Sequence, residues 1–162
     1  MQRFFAFLVA LFLATSTSVA AYAADTIFVM RHLQKADGSD PPLSSEGRAN
    51  AKALSDLLAK SGIKAIFATP TRRAMETAEP LASRLKIKIR TYDPDNPQAL
   101  IATVDSIRGA VLVVGHSNTV GDLVARFGGK QPVSLTEEDY GTVFVVSHDD
   151  GSVSQIKVQR AP

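Results

Sequence analysis

Two of the three histidines in the chain follow apolar runs and have polar neighbours that could do chemistry. The residues at the ends of these two runs are Arg31, His32, His116, Ser117 and Asn118. Apolar runs of this length that stop abruptly are typical of buried strands. Parallel strands direct their carboxyl ends into one crevice, where α/β sheets bind ligands. We therefore expect His32 and His116 to face each other across a site.

Further charged residues are expected at the same edge, because two more strand-like runs end in loops. One loop carries Arg72 and Arg73, and the other carries Asp93 and Asp95. Arginine presents a fixed fork of donors that matches phosphate oxygens. The N-termini of the helices that follow such loops add partial positive charge. Two imidazoles and two or three guanidinium groups together favour an anionic, phosphate-like ligand.

From residue 24 onward, strand-like and helix-like segments alternate along the chain. Strands are predicted at 26–30, 65–69, 86–90, 111–115, 142–147 and 152–158, and helices at 44–61, 71–85, 98–107 and 120–127. This alternation predicts an α/β fold, a three-layer α/β/α domain with a mainly parallel sheet. The turn at 149–151 predicts a C-terminal hairpin at the edge of that sheet.

The composition is that of one globular domain. The chain has 162 residues, of which 45% are hydrophobic and 21% charged, with a net charge of +2. These values separate it from disordered chains, and no basic cluster of the nucleic-acid-binding kind occurs. Cysteine is absent, and the three histidines lack the spacing of zinc ligands. We therefore expect neither a nucleic-acid partner nor a metal.

The first residues have the pattern of a secretory leader. Arg3 supplies a positive start, an apolar stretch covers 4–14, and the segment ends in Ala21-Tyr22-Ala23. A positive start, a short apolar region and an A-x-A site define a cleavable signal peptide. The apolar stretch is too short to span a bilayer comfortably. We predict a signal peptide at 1–23, a domain at 24–162, and a periplasmic or secreted product without membrane association after cleavage.

Four motifs resemble those of one known family, and they occur in order over nearly the whole chain after the leader. The motifs are Val29-Met30-Arg31-His32, Leu43-Ser44-Ser45-Glu46-Gly47-Arg48-Ala49, Thr69-Pro70-x-x-Arg73-Ala74-x-x-Thr77-Ala78 and Val114-Gly115-His116-Ser117-Asn118. Together they resemble the histidine phosphatase superfamily, the phosphoglycerate-mutase-like group, and its small exported members in particular.

The resemblance implies a mechanism that needs no metal or other cofactor. His32 would attack phosphorus and form a phosphohistidine intermediate. Arg31 and Arg73 would bind the phosphoryl oxygens and stabilise the transition state, while His116 would hydrogen-bond the same group. Arg73 matches the family arginine because it directly precedes Ala74 in the third motif.

Other roles follow from the same resemblance. Lys35, Ser117 and Asn118 are candidate substrate-binding residues. Many members of the family place a carboxylate in the loop after the third strand, where this chain has Asp93 and Asp95, and Asp93 is the favoured candidate for the general acid. A general acid protonates the leaving group and contributes about two to four orders of magnitude in rate.

The chain departs from the family pattern directly after the nucleophile. Leu33 stands where the family usually has glycine or alanine, and Gln34 stands where glutamate is frequent. A larger side chain at position 33 is expected to narrow the pocket or tilt His32. This departure keeps open a second hypothesis, a non-catalytic protein that binds phosphorylated ligands.

The main functional hypothesis is an exported phosphatase that hydrolyses phosphomonoesters. Its substrate would be a phosphorylated small molecule or an envelope glycan, and the oligomeric state stays open. A phosphatase acting on phosphohistidine in proteins and a phosphoglycerate mutase are further alternatives. The leader disfavours both, because their partners are cytosolic.

Overall fold

The computed structural model describes residues 25–158. The predicted signal peptide at 1–23 lies outside the described residues, as do residues 159–162. The strands are β1 (Thr26–Arg31), β2 (Ile63–Ala68), β3 (Ile89–Thr91), β4 (Ala110–Gly115), β5 (Thr142–Ser147) and β6 (Val153–Lys157). The helices are α1 (Ser45–Leu58), α2 (Arg72–Leu85), α3 (Pro97–Asp105) and α4 (Ser117–Arg126).

The strands form one six-stranded sheet in the order β3-β2-β4-β1-β5-β6. The four strands β3, β2, β4 and β1 are parallel, whereas β5 is antiparallel to its neighbours β1 and β6. The strands β5 and β6 form the predicted hairpin, and β6 is the edge strand. The prediction of an α/β fold with a mainly parallel sheet is confirmed.

The sheet separates two hydrophobic layers. Because side chains alternate along a strand, Phe28 and Met30 of β1 point into one layer and Ile27 and Val29 into the other. The first layer is completed by α1 and α2, and the second by α3 and α4. In residues 25–158, no helix is both long and apolar enough to cross a membrane.

Register in the centre of the sheet brings the two histidines together. β1 and β4 are parallel neighbours, and Arg31 pairs with Gly115 at their carboxyl ends. The amide of His32 donates to the carbonyl of Gly115 at 2.9 Å, which extends the ladder by one residue. His32 and His116 therefore leave adjacent strands at the same height.

The start of α4 differs from the predicted one. α4 begins at Ser117 and not at 120, so Ser117 and Asn118 lie in the first helical turn. His116 is the N-cap residue, and its amide donates to Thr119 Oγ1 at 3.0 Å. Short polar side chains such as these are common at helix starts and uncommon in helix interiors. Because the first turn of α4 is polar, apolar periodicity did not indicate it.

The strand predicted at 86–90 is also misplaced, because β3 covers only 89–91. Lys86 adopts a left-handed backbone with φ of 57° and ends α2, and the amide of Ile87 donates to Ala82 at 3.0 Å. This is a helix C-terminal motif. The alternating charges of Lys86 and Lys88 thus belong to the end of a helix and the connection after it.

Candidate active site

A cavity of about 180 Å³ lies at the carboxyl ends of the parallel strands. Its lining residues are Arg31, His32, Lys35, Arg73, His116, Ser117, Asn118 and Glu137. The structure thus brings together all the predicted site residues except Asp93. Pockets that enclose a drug-sized ligand measure about 300–1,000 Å³, so this cavity suits a small anionic group with the rest of a ligand outside.

His32 is held in one orientation and is only 3% exposed. Its Nδ1 lies 2.8 Å from the carbonyl oxygen of Leu33, an acceptor, so Nδ1 carries the proton. Nε2 accepts a hydrogen bond from Nε of Arg73 at 3.1 Å. Since a guanidinium group can only donate, Nε2 of His32 has the lone pair that a nucleophile requires.

The surroundings of His32 also keep it neutral. Burial lowers the pKa of His32 from 6.5 to about 4, and the positive charges around it contribute in the same direction. The hydrogen bond to Leu33 opposes this lowering of the pKa but does not overcome it. At neutral pH the imidazole is therefore unprotonated at Nε2.

Arg73 reaches the cavity from the first turn of α2. Asp40, in the loop after β1, accepts a hydrogen bond from the amide of Arg72 at 3.0 Å. The same carboxylate lies 3.6 Å from Nη1 of Arg73. Asp40 thus fixes the start of α2 and one end of the Arg73 side chain.

Thr77, in the third sequence motif, connects the nucleophile loop to α2. Its side chain is fully buried, accepts a hydrogen bond from the amide of Leu33 at 3.0 Å and donates to the carbonyl of Arg73 at 2.8 Å. The Leu33 side chain is also fully buried and lies in the core between the sheet and the α1–α2 layer. The expectation that Leu33 narrows the pocket is therefore wrong, because its side chain is not part of the cavity lining. The alternative expectation, that Leu33 tilts His32, stays a prediction.

The second sequence motif supports the chain that follows His32. Ser44 caps α1, since its hydroxyl accepts from the amide of Gly47 at 3.0 Å. The amide of Ser44 donates to the carbonyl of Gln34 at 2.9 Å. A Cβ atom at position 47 would lie only 2.0 Å from that carbonyl oxygen. Glycine is required here because α1 approaches the loop so closely.

His116 faces His32 with 5.3 Å between the ring centroids and 67° between the ring planes. Its Nε2 lies 2.9 Å from the hydroxyl of the buried Thr69. Burial, followed by the charges of Arg73 and Arg31, lowers the pKa of His116. The site therefore contains two neutral imidazoles, each fixed by a hydrogen bond.

Arg31 is buried and contacts a segment that sequence reasoning did not single out. Nη1 donates to the carbonyls of Thr136 and Glu137 at 2.9 and 2.6 Å. Nη2 donates to Glu137 Oε2 at 2.8 Å and to Tyr140 Oη at 3.1 Å, and the guanidinium lies 4.1 Å from the centroid of the Tyr140 ring. Within residues 25–158, Nε of Arg31 is buried and has no hydrogen-bond partner.

Glu137 is the acidic residue in the lining of the cavity. Its second oxygen accepts a hydrogen bond from the hydroxyl of Ser117, so the carboxylate bridges Ser117 and Arg31. The hydrogen bond from Ser117, followed by the charge of Arg31, lowers the pKa of Glu137. The carboxylate is therefore ionised at neutral pH, although the side chain is 74% exposed.

The structure does not bring Asp93 into the cavity with the histidines. Asp93 is exposed and lines a separate cavity of about 210 Å³ with Tyr92 and Asn96. Its carboxylate accepts from the amide of Asp95 at 2.9 Å, which is a turn-forming contact. His148 is exposed in the β5–β6 turn.

Sequence reasoning missed two residues of the site, Glu137 and Tyr140. Thr69 was part of the third motif, directly after β2, but was given no role. Glu137 and Tyr140 lie in the connection between α4 and β5, which has no periodic pattern. In the described part of the chain, no group of three or more acidic or histidine side chains is arranged to hold a metal ion.

The model of the histidine phosphatase superfamily (branch 1) matches residues 27–94, which include His32 and Arg73. The fold is similar to that of solved structures over more than four-fifths of this chain. The family match over this part of the chain and the shared fold both agree with the resemblance that the four motifs indicated.

Individual similarities are more distant. An uncharacterized protein of Mycobacterium tuberculosis is 47% identical over 53 residues, which are 33% of this chain and 26% of that protein. This chain thus matches about a quarter of the length of its curated relatives.

Similar solved structures share the fold at low sequence identity. The protein histidine phosphatase SixA complexed with tungstate is 23% identical, with a TM-score of 0.60 over 82% of this chain and 96% of that one. A protein of Agrobacterium tumefaciens assigned as the phosphohistidine phosphatase SixA is 20% identical, with a TM-score of 0.62 and the same coverage. A mycobacterial glucosyl-3-phosphoglycerate phosphatase in complex with inorganic phosphate is 22% identical, with a TM-score of 0.57 over 85% of this chain and 98% of that one.

Proposed function

We propose that the protein is an exported phosphatase that hydrolyses phosphomonoesters through a phosphohistidine on His32, without a metal. One observation carries this proposal: Nε2 of a neutral, buried imidazole faces Arg73 in a cavity of the size of a small anion. A neutral histidine beside fixed positive charge is what attack on a phosphoryl group requires.

The first step transfers the phosphoryl group to the protein. Nε2 of His32 attacks phosphorus, the Nε2–P bond forms, and the bond from phosphorus to the ester oxygen breaks. Arg73 turns its N–H groups from Nε2 to the phosphoryl oxygens as the substrate enters. Nδ1 keeps its proton and donates a hydrogen bond to the carbonyl oxygen of Leu33. This hydrogen bond stabilises the positive charge that develops on the ring.

The second step regenerates the free His32 imidazole. Water attacks the phosphorus of the phosphohistidine, the N–P bond breaks, and inorganic phosphate leaves with His32 neutral again. In the proposed mechanism His116 hydrogen-bonds a phosphoryl oxygen in both steps, and its contact with Thr69 orients the ring for this role. Lys35 and Asn118 line the same cavity and complete the set of candidate ligands for the ester.

Substrates with good leaving groups are favoured. Asp93 lies in another cavity, and Glu137 is ionised and therefore lacks a proton to donate. The substrate class stays a phosphorylated small molecule or an envelope glycan, in agreement with the leader-like residues 1–23. The likeness to a glucosyl-3-phosphoglycerate phosphatase supports a phosphorylated metabolite, since that protein is named for one.

A phosphatase acting on phosphohistidine in proteins is the second candidate. The fold likeness to SixA favours it, and a cavity that encloses only the phosphoryl group would leave the rest of a phosphorylated protein outside. The leader-like segment disfavours it. The non-catalytic alternative loses one ground, because the Leu33 side chain lies in the core, and keeps the other, because Asp93 lies outside the cavity and no general acid is assigned.

Hydrolysis of p-nitrophenyl phosphate in the presence of EDTA tests the proposal. The wild-type protein is expected to turn over without added metal, and His32→Ala is expected to be inactive. His148→Ala is a matched control, because this histidine is exposed in a distant turn. Absence of turnover by the folded wild-type protein, or equal turnover by His32→Ala, contradicts the proposal.

A further inference from the structure

We infer that the Glu137 carboxylate competes with the phosphoryl group for the hydrogen-bond donors of Arg31 and Ser117, so that phosphate binds by displacing this side chain. That the competing anion is a phosphoryl group rests on the proposed function. The inference adds a residue that sets the affinity of the site for substrate and for product phosphate.

The hydrogen-bond donors of Arg31 carry the argument. Four of its five N–H groups are taken by the 136–140 segment, and Glu137 accepts through both its carbonyl and its carboxylate. The remaining donor, Nε, is buried and has no partner among residues 25–158. A buried guanidinium with an unused N–H group is costly, and a small anion in the adjoining cavity would accept that hydrogen bond.

The Glu137 carboxylate is placed where such an anion would compete with it. One oxygen accepts from Arg31 and the other from Ser117, at the start of α4. Both donors line the cavity that contains His32 and Arg73. A carboxylate and a phosphoryl group have the same preference for arginine and hydroxyl donors.

The two anions cannot be bound side by side without cost. A phosphate ester carries a larger negative charge than a carboxylate, and two like charges that share the same donors at contact distance repel each other. The Glu137 side chain is 74% exposed and can turn into solvent without disrupting the core. Entry of phosphate is therefore expected to displace the carboxylate, and its return is expected to assist release of the product.

The exchange has a measurable consequence. When a site is available for only a fraction of the time, the apparent dissociation constant rises by the inverse of that fraction. If the carboxylate occupies the donors about nine-tenths of the time, its neutralisation tightens phosphate binding about tenfold. The Glu137→Gln variant keeps the size of the side chain and removes the charge.

Two further variants separate occupancy of the donors from a general effect of charge. Glu138→Gln removes the same charge from the neighbouring exposed residue. Glu137→Asp keeps the charge but is one methylene shorter, so it cannot bridge Arg31 and Ser117. Binding of inorganic phosphate to the full set is measured by calorimetry at one pH and ionic strength, with thermal unfolding as the check on folding.

The inference predicts that Glu137→Gln binds phosphate about tenfold more tightly than wild type, that Glu137→Asp also binds more tightly, and that Glu138→Gln matches wild type. Unchanged or weaker binding by Glu137→Gln overturns the inference, as does an equal gain in Glu138→Gln. Failure of Glu137→Gln to bind phosphate also overturns it. If binding changes as expected while p-nitrophenyl phosphate is not hydrolysed, the competitor role stands and the proposed function fails.

Discussion

Arg73 donates from Nε to Nε2 of His32 at 3.1 Å, while the opposite ring nitrogen lies 2.8 Å from the carbonyl of Leu33. These two contacts fix both the orientation and the tautomer of the imidazole. A guanidinium group has no lone pair to offer, so the nitrogen that faces Arg73 is the unprotonated one. The proposed chemistry depends on this pairing.

The same environment makes stability depend on pH. The folded pKa of His32 is about 4, against 6.5 for an ordinary histidine, so the unfolded chain binds more protons between these values. Stability from this residue is fully present above pH 6.5 and is lost as the pH falls towards about 4. A shift of this size corresponds to an upper bound of about 3 kcal/mol in the free energy of unfolding.

Urea unfolding at several pH values checks this prediction. His32→Gln is expected to lose less stability than wild type between pH 7 and 4, because its side chain does not titrate in that window. His148→Gln, at an exposed position, is expected to keep the wild-type dependence. If the free energy of unfolding depended on pH in the same way for wild type and His32→Gln, the imidazole of His32 would not be a buried neutral group.

Thr69 is predicted to act on activity by fixing His116. Thr69→Ala removes the hydroxyl 2.9 Å from His116 Nε2, and the freed ring is expected to lose its alignment with the phosphoryl group. A ten- to hundredfold fall in kcat/KM is expected, about the cost of misplacing a catalytic group. Thr69→Ser keeps the hydroxyl and is expected to restore most of the activity; equal losses in both variants would indicate damage to packing.

Gly47 is predicted to be necessary for the position of the nucleophile loop. Gly47→Ala places a Cβ atom against the carbonyl of Gln34, and either α1 or the loop must shift. We expect a loss of about 1–3 kcal/mol in the free energy of unfolding, together with reduced hydrolysis. Ser45→Ala, at an exposed position in the same turn, is expected to stay within about 0.5 kcal/mol of wild type. Full stability and activity in Gly47→Ala would rule out this close approach.

Asp93→Asn tests whether the carboxylate predicted from the family pattern donates a proton. Because Asp93 lies in a separate cavity, we expect the rate of hydrolysis of an alkyl phosphate to be little changed. A true general acid contributes about two to four orders of magnitude, and most with a poor leaving group. A fall of about a hundredfold or more with the alkyl ester would return Asp93 to the mechanism.

The parts of the site that follow from strand topology could be predicted from the sequence. His32 and His116 each end an apolar run, and parallel strands place such ends at one edge. Arg73 and Thr77 lie in one motif, and the helical spacing between them places both on the same side of α2. Local pattern and sheet geometry were enough for these residues.

The contacts of Arg31 could not be predicted in the same way. Glu137 lies 106 residues away in the chain, in a connection without periodicity, and its position depends on how that connection folds over the sheet edge. The start of α4 was missed because Ser117 and Asn118 are polar, although a capping residue needs no apolar pattern. The predicted signal peptide at 1–23 and the exported location stay predictions.

The most direct test of the central claim is detection of phosphate on His32. Wild-type protein is mixed with p-nitrophenyl phosphate in EDTA, quenched in base, where phosphohistidine survives, and digested for mass spectrometry. The proposed mechanism predicts one phosphoryl group on the peptide that contains His32, and none on the same peptide from His32→Ala. Turnover without phosphate on this peptide, or with phosphate on another residue, would contradict the mechanism.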